Sequence, residues 1–239
     1  MEAIPTSQRH PESHEAKPYK WALSPWARLY RRLARPWVVA RHVRRFCQPF
    51  SVDGREHLDE LTGPALIVAN HCSHFDTVIV LSVLPPPLYD RTAVVAAADR
   101  FYTSTLKAAW LSLRYNAFPI ARKGGSNALA YSEQLLRDDW SLLIFPEGTR
   151  SKTGELLPFH PGPAILAQRQ RVPVVPIHIA GAGNILRPGT PRAQPAPVHL
   201  RIGPPLLLDP DAGVLDATAS IREAVSTLVP SREADLVLA

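Results

Sequence analysis

Cysteine is scarce in this 239-residue chain, where Cys47 and Cys72 are the only two. They are too few for a disulfide framework and too far apart in sequence to nucleate a structural zinc site, so a reducing, cytoplasmic setting is the expectation. No run of about eighteen or more uncharged apolar residues occurs, which argues against a spanning helix. The opening MEAIPTSQRHPESHEAKP lacks a charged start followed by an apolar core, so residues 1–16 read as a mobile polar tail and not as a targeting segment. Familiar loops are incomplete as well. GGSNA, Gly124 to Ala128, misses the last glycine of a nucleophile elbow and follows no long strand, which argues against a serine hydrolase. GAGNIL, Gly181 to Leu186, misses the third glycine of a dinucleotide loop and reads as a turn.

Acidic residues are absent from residues 17–50, which hold nine Lys/Arg. The net charge of +6 is therefore a segment of +9 set against a weakly acidic remainder. Trp21, Trp26 and Trp37, three of the five tryptophans, lie in the same segment. Trp26, Leu29, Tyr30, Leu33 and Trp37 recur at helical steps with Arg28, Arg31, Arg32 and Arg35 largely between them. After a kink at Pro36, the residues Val39, Val43, Phe46, Cys47 and Phe50 repeat the pattern. Such a helix could pack on the domain's own core or bind nucleic acid, but no nucleic-acid module surrounds it. Rings beside arginines fit a helix lying in an anionic membrane interface, and that is the expectation.

A hydrophobic fraction of 46% places the chain among globular proteins, and beyond the basic segment the length fits one α/β domain, residues 51–239. ALIVAN (Ala65–Asn70), AVVAAA (Ala93–Ala98), AFPIA (Ala117–Ala121), SLLIF (Ser141–Phe145) and VHLRIG (Val198–Gly203) read as strands. Between them, Asp76–Leu84, Phe101–Leu113, Ser126–Asp138, Gly162–Gln170 and Ala217–Leu228 read as helices. This alternation predicts a single α/β domain whose central, largely buried sheet is flanked by helices, carrying an N-terminal amphipathic helical extension. Val172–Ala180 is extended, but Pro173 and Pro176 argue against a fully paired central strand.

In such sheets chemistry collects in loops leaving the carboxyl ends of strands, here NHCSHFD (Asn70–Asp76) and PEGTR (Pro146–Arg150). A metal reading would use His71, Cys72, His74 and Asp76, but no second cluster completes a four-ligand shell. His71 and Asp76 are five apart, which leaves them roughly 140° apart on one helix. They meet only if His71 sits in the turn before the helix and Asp76 in its first turn. A carboxylate there fixes the imidazole tautomer and frees the other nitrogen to take a proton. With no protein nucleophile in view, the substrate's own hydroxyl attacks.

NHCSHFD resembles the N-H-x4-D motif of the glycerolipid acyltransferases, the 1-acylglycerol-3-phosphate acyltransferase family. NAFPIAR (Asn116–Arg122), FPEGTRS (Phe145–Ser151) and VPVVPI (Val172–Ile177) are similar to that family's second, third and fourth motifs. Asn116 stands where the family usually has glycine, Pro119 where an aromatic is common and Ala121 where an acid often precedes the arginine. The resemblance implies a peripheral enzyme on the cytoplasmic face of a membrane. It would move a fatty acyl group from acyl-CoA or acyl carrier protein to a lysophospholipid hydroxyl, above all lysophosphatidate. No cofactor, metal or nucleic acid is implied. The alternatives are acylation of another lipid hydroxyl and a non-catalytic lipid-binding module.

The roles that follow are His71 as general base, oriented by Asp76, and Arg122 and Arg150 as clamps on the acceptor phosphate. Glu147, Gly148 and Thr149 complete the substrate-binding set, with the Glu147 carboxylate on acceptor hydroxyls or on Arg150. Backbone amides near Gly148 are the expected oxyanion donors. His74 is assigned a structural role, Lys123 reads as a surface residue, Cys72 as a small buried thiol and not an acyl carrier, and the extended run Val172–Ala180 as a wall near the acyl chain.

Overall fold

A computed structural model describes residues 17–102, 104–120, 129–186, 190 and 192–229. The expected tail, Arg122, Lys123 and the GGSNA loop lie outside them. The strands are β1 (Cys47–Asp53), β2 (Leu66–Ala69), β3 (Thr92–Ala97), β4 (Ala117–Ile120), β5 (Ser141–Ile144), β6 (Val174–Ala180) and β7 (Ala196–Ile202). The α-helices are α1 (Pro25–Arg35), α2 (Arg41–Phe46), α3 (Glu56–Asp59), α4 (Asp76–Val83), α5 (Pro86–Asp90), α6 (Ala98–Phe101), α7 (Thr105–Tyr115), α8 (Ala130–Arg137), α9 (Gly162–Gln170) and α10 (Val214–Ser226).

Among the described residues the strands form one sheet in the order β1-β7-β6-β2-β5-β3-β4. Five of them, β6, β2, β5, β3 and β4, run parallel. β7 is antiparallel to β6 and carries β1 along its own direction. β2 and β5 are buried at every position, as strands covered on both faces must be. Alternate residues of β2 feed two separate cores. Ile67 and Ala69 pack with α4, while Leu66 and Val68 join the core that holds Leu135 of α8, Leu166 of α9 and Ile221 of α10.

The proline-rich run departs from expectation. β6 is an internal strand, paired with β2 from Leu66↔Val174 to Ala69↔Ile177 and with β7 from Ile177↔Ile202 to Ala180↔His199. Pro176 is tolerated because its carbonyl points to the β7 side, where it accepts the Gly203 N–H at 2.9 Å just past the end of β7. The missing N–H therefore falls where that ladder stops. A Cβ on Gly203 would lie 2.9 Å from the Pro176 ring, so glycine there makes room for it. Of residues 172–180, none lines the apolar cavity described below, while His178, Ile179 and Ala180 border the larger one.

Asn116 follows α7 with φ +52°, a left-handed cap that glycine or asparagine adopts most readily. Its amide donates to the Thr92 carbonyl at 3.0 Å. The exchange of glycine for asparagine is thus a backbone matter, and Pro119 sits on β4, an edge strand, where proline is admissible. The predicted helix from Phe101 divides because Ser104 caps α7, its Oγ accepting the Lys107 N–H at 3.3 Å.

The N-terminal helix ends sooner than its pattern predicts, since Cys47–Asp53 pairs with β7 as β1. At Pro36 the α-helix gives way to a π turn, Pro36–Ala40, that absorbs the missing proline N–H without stopping the helical path. α4 is buried all round because the sheet lies beneath it and this π turn and α2 lie above. The stripe Trp26, Leu29, Tyr30, Leu33 and Trp37 faces outward, between 43% and 71% exposed. Ala27, Arg31 and Val38 face the domain instead. Two of the arginines assigned to a cationic surface are internal ties. Arg31 donates to the carbonyls of Ala22 at 2.7 Å and of Ser112 and Leu113 at 3.4 Å. Arg35 reaches those of Leu81, Ser82 and Leu84 at 2.6–3.2 Å. Burial lowers the Arg31 pKa to about 10, which leaves it charged near neutrality.

Arg31→Ala should cost roughly 2–3 kcal/mol in urea unfolding, the scale of charge-assisted bonds whose buried carbonyls lose their donor. Arg31→Lys should recover only part, because an ammonium lacks the forked reach of guanidinium.

Candidate active site

Parallel pairing with Val68 opposite Ile144 brings the ends of β2 and β5 to the same edge, so their loops emerge side by side. Asn70 extends the β2 end. Its Nδ2 donates to the Ile179 carbonyl at 3.0 Å and its Oδ1 accepts the Ile179 N–H at 2.7 Å, tying β2 to β6 beyond the last paired residue. The sequence reading assigned Asn70 no role, although an asparagine at a strand end ahead of a reactive loop was the available signal.

His71 follows in the loop and Asp76 opens α4, as the geometry of five-residue spacing requires. Asp76 Oδ2 lies 2.8 Å from His71 Nδ1 and accepts the N–H of Cys72 at 2.7 Å and of Ser73 at 2.8 Å. Asp76 is fully buried. A carboxylate holding three donors shapes the whole turn while it orients the ring. The imidazole stacks on Phe145 with centroids 4.5 Å apart. With Nδ1 bound to a carboxylate the proton resides there, and no described residue bonds Nε2, whose lone pair is left to take a proton.

The second loop grips the backbone of His71. Glu147 Oε1 accepts the His71 N–H at 2.8 Å, its Oε2 accepts the Leu157 N–H at 3.3 Å, and the Ser151 N–H donates to the His71 carbonyl at 2.7 Å. Glu147 is 4% exposed, and burial raises its pKa despite these bonds. Gly148 turns the chain with φ +64° and donates its N–H to the Phe145 carbonyl at 3.1 Å. Its own amide is therefore committed, whereas no described acceptor takes the N–H of Thr149 or Arg150.

Two cavities meet at this turn. One of about 200 Å³ is apolar, runs between β3, β4 and α7, and ends at His71 and Gly148. The other, of about 960 Å³, is walled by Arg150, Lys152, His178 and Asn184, and no described residue bordering it is a carboxylate. His74, Thr149 and Arg150 border both, so His74, given a structural role from sequence, stands at the junction. Cys72 borders the polar cavity, but burial and the Asp76 carboxylate push its thiol pKa upward, away from nucleophilic use. His178, absent from the sequence-based candidates, is buried, and its pKa falls to about 4 through desolvation and the positive charges of Arg201 and His199. Its apolar surroundings in sequence carried no signal of this position.

A half-buried histidine on a buried aspartate, lining an apolar cavity, with a glycine turn from the neighbouring strand locked onto it, defines a class. Residues 49–180, more than half of the chain, match the sequence profile of the Acyltransferase family, and the chain belongs to that family. Among its relatives is 1-acyl-sn-glycerol-3-phosphate acyltransferase alpha of Mus musculus, 30% identical over 186 residues, 74% of this chain and 62% of that one. Another is 1-acyl-sn-glycerol-3-phosphate acyltransferase of Cocos nucifera, 29% identical over 174 residues, 67% of this chain and 51% of that one. The chain spans about half the length of the curated relatives it matches. The crystal structure of the 1-acyl-sn-glycerophosphate (LPA) acyltransferase PlsC from Thermotoga maritima has the same fold. It gives a TM-score of 0.60 at 21% identity, covering 84% of this chain and 76% of that one.

Gly148→Ala should destabilise the turn by about 1–3 kcal/mol, because the left-handed φ disfavours a Cβ and the added methyl would stand 3.0 Å from the His160 ring. Thermal unfolding checks this, with a Tm lowered by roughly 2–4 °C per kcal/mol for a domain of this size.

Proposed function

We propose that this chain is an O-acyltransferase moving a fatty acyl group from acyl-CoA or acyl carrier protein to a lysophospholipid hydroxyl, above all that of lysophosphatidate, to give phosphatidate. The observation that carries this reading is the His71–Asp76 pair, 2.8 Å apart, with His71 lining an apolar cavity. His71 Nε2 takes the acceptor's hydroxyl proton as the oxygen attacks the thioester carbonyl, and Asp76 stabilises the imidazolium so formed. The tetrahedral intermediate then collapses, the C–S bond breaks, and His71 returns the proton to the departing thiolate. The N–H groups of Thr149 and Arg150 are the available oxyanion donors. The apolar cavity takes a fatty chain, and the larger cavity, walled by Arg150 and Lys152, takes phosphate-bearing parts of the substrates. Arg150 borders both cavities, and Arg122 is assigned to the same phosphate on its motif position alone.

The test is thiol release from acyl-CoA with and without lysophosphatidate. Release should depend on the acceptor, and His71→Ala should reduce it by about two to four orders of magnitude in a folded protein. Near wild-type turnover in that variant would exclude the general-base role. Asp76→Asn should be comparably damaging, since an amide oxygen can accept the three donors now on Oδ2 but carries no charge to stabilise the imidazolium.

We also place the enzyme peripherally on an anionic, cytoplasmic membrane face. No helix of the described residues is long and apolar enough to cross a membrane. The outward stripe of α1 supports docking, as do Leu106 and Trp110 of α7, which are 86% and 52% exposed on the helix that Arg31 ties to α1. Arg32, Arg41, Arg44 and Arg45 are exposed beside them. Each cation near such a surface contributes about 1 kcal/mol, weakened by salt. Leu33→Ser with Trp37→Ser should weaken co-sedimentation with phosphatidylserine vesicles at least about tenfold, given about 1.5–3 kcal/mol per buried large apolar side chain. Unchanged binding by the double variant would reject docking through this stripe.

A further inference from the structure

We propose that Glu147 is a positioning residue that sets His71 by holding its backbone N–H, and that it touches no substrate. The inference rests on the reading of His71 as the base. A carboxylate in a motif beside a reactive histidine invites a role on the acceptor, but its location assigns it elsewhere. Both oxygens already accept backbone N–H groups, from His71 at 2.8 Å and Leu157 at 3.3 Å. The residue is 4% exposed and borders neither cavity, whereas the next residues, Gly148, Thr149 and Arg150, do. The left-handed Gly148 separates the two groups by reversing the chain, so Glu147 points inward and Arg150 outward.

His71 is thereby held at every polar group that its own peptide units offer. Glu147 takes the N–H, Ser151 supplies a donor to the carbonyl, and Asp76 takes the ring. Asp76 alone would leave the ring free to swing with its loop, because it is anchored to that same turn through Cys72 and Ser73. Glu147 and Ser151 come from a different strand end, so they fix the loop relative to the rest of the sheet. The base is then located to the few tenths of an ångström that proton transfer between oriented partners demands. Loss of this clamp slows turnover and leaves the affinity for either substrate intact.

Two variants and two readouts test it. Glu147→Gln keeps a carbonyl oxygen for the His71 N–H, and Glu147→Ala removes the acceptor. Steady-state kinetics on the full chain should show kcat reduced roughly a hundredfold in Glu147→Ala and less than about tenfold in Glu147→Gln, with KM for lysophosphatidate within twofold of wild type in both. A KM raised tenfold or more with kcat retained would assign Glu147 to the acceptor and overturn the proposal. The second readout needs no turnover. Hydrogen exchange followed by NMR should find the His71 amide protected in wild type and in Glu147→Gln, and unprotected in Glu147→Ala. A His71 amide that exchanges in wild type at the rate of an open loop would end the clamp, even if the alanine variant does not fold. Absence of acceptor-dependent release in wild type would instead defeat the acyltransferase reading, and the exchange data would still decide the clamp.

Discussion

The parallel register of β2 against β5, with Val68 opposite Ile144, is the constraint from which the candidate site follows. Two strands that are apolar at every position bury both faces, and pairing them side by side satisfies their backbone groups inside a core that offers no water. The consequence lies beyond the last paired residue. Each chain leaves the sheet at the same edge with polar groups that still need partners, and the two loops find them in one another. Glu147 and Ser151 take up the backbone of His71, while Asn70 performs the same service toward Ile179 of β6. The site is thus where sheet hydrogen bonding continues through side chains.

Electrostatics sharpen that arrangement. Two carboxylates, Asp76 and Glu147, are buried close to one imidazole, an expensive choice unless each is fully hydrogen-bonded. Asp76 has three donors and Glu147 two. The Asp76 carboxylate stands against Nδ1 and holds the ring in place, while Glu147 holds the backbone behind it. The same desolvation and the same charge raise the Cys72 thiol, which suppresses a competing nucleophile one residue away. The carboxylate that orients the His71 ring therefore also suppresses the thiol of the neighbouring Cys72.

The N-terminal extension shows a parallel economy. α4 needs cover on its outer side, and the π turn and α2 provide it with Val38, Val39 and Val43. α1 continues the path but turns Ala27 and Arg31 inward, because small residues and a guanidinium bound to carbonyls suit a close approach to α7. The large rings are left on the outside. An apolar stripe outside and cations divided between internal ties and the surface distinguish this helix from one that buries its rings in its own domain.

The sequence by itself determined the alternation of strands and helices, the pairing of His71 with Asp76, and the outer stripe of α1, because each depends on periodicity or on spacing within one short segment. FPEGTRS also marked the second loop. What it could not yield was anything set by a partner distant in the chain. β1 was hidden because Cys47–Asp53 becomes a strand only against β7, and β6 was misjudged because the harm of a proline depends on which neighbour its missing N–H faces. Arg31 and Arg35 read as surface charge until the carbonyls of α7 and of the α4 end came within reach. Asn70 and Glu147 carried no sequence sign of their targets, which lie more than seventy residues away. Local patterns record which face a residue turns to the core, whereas hydrogen-bond partners across the sheet exist only after strand order and register are chosen, and that choice is made by the tertiary structure.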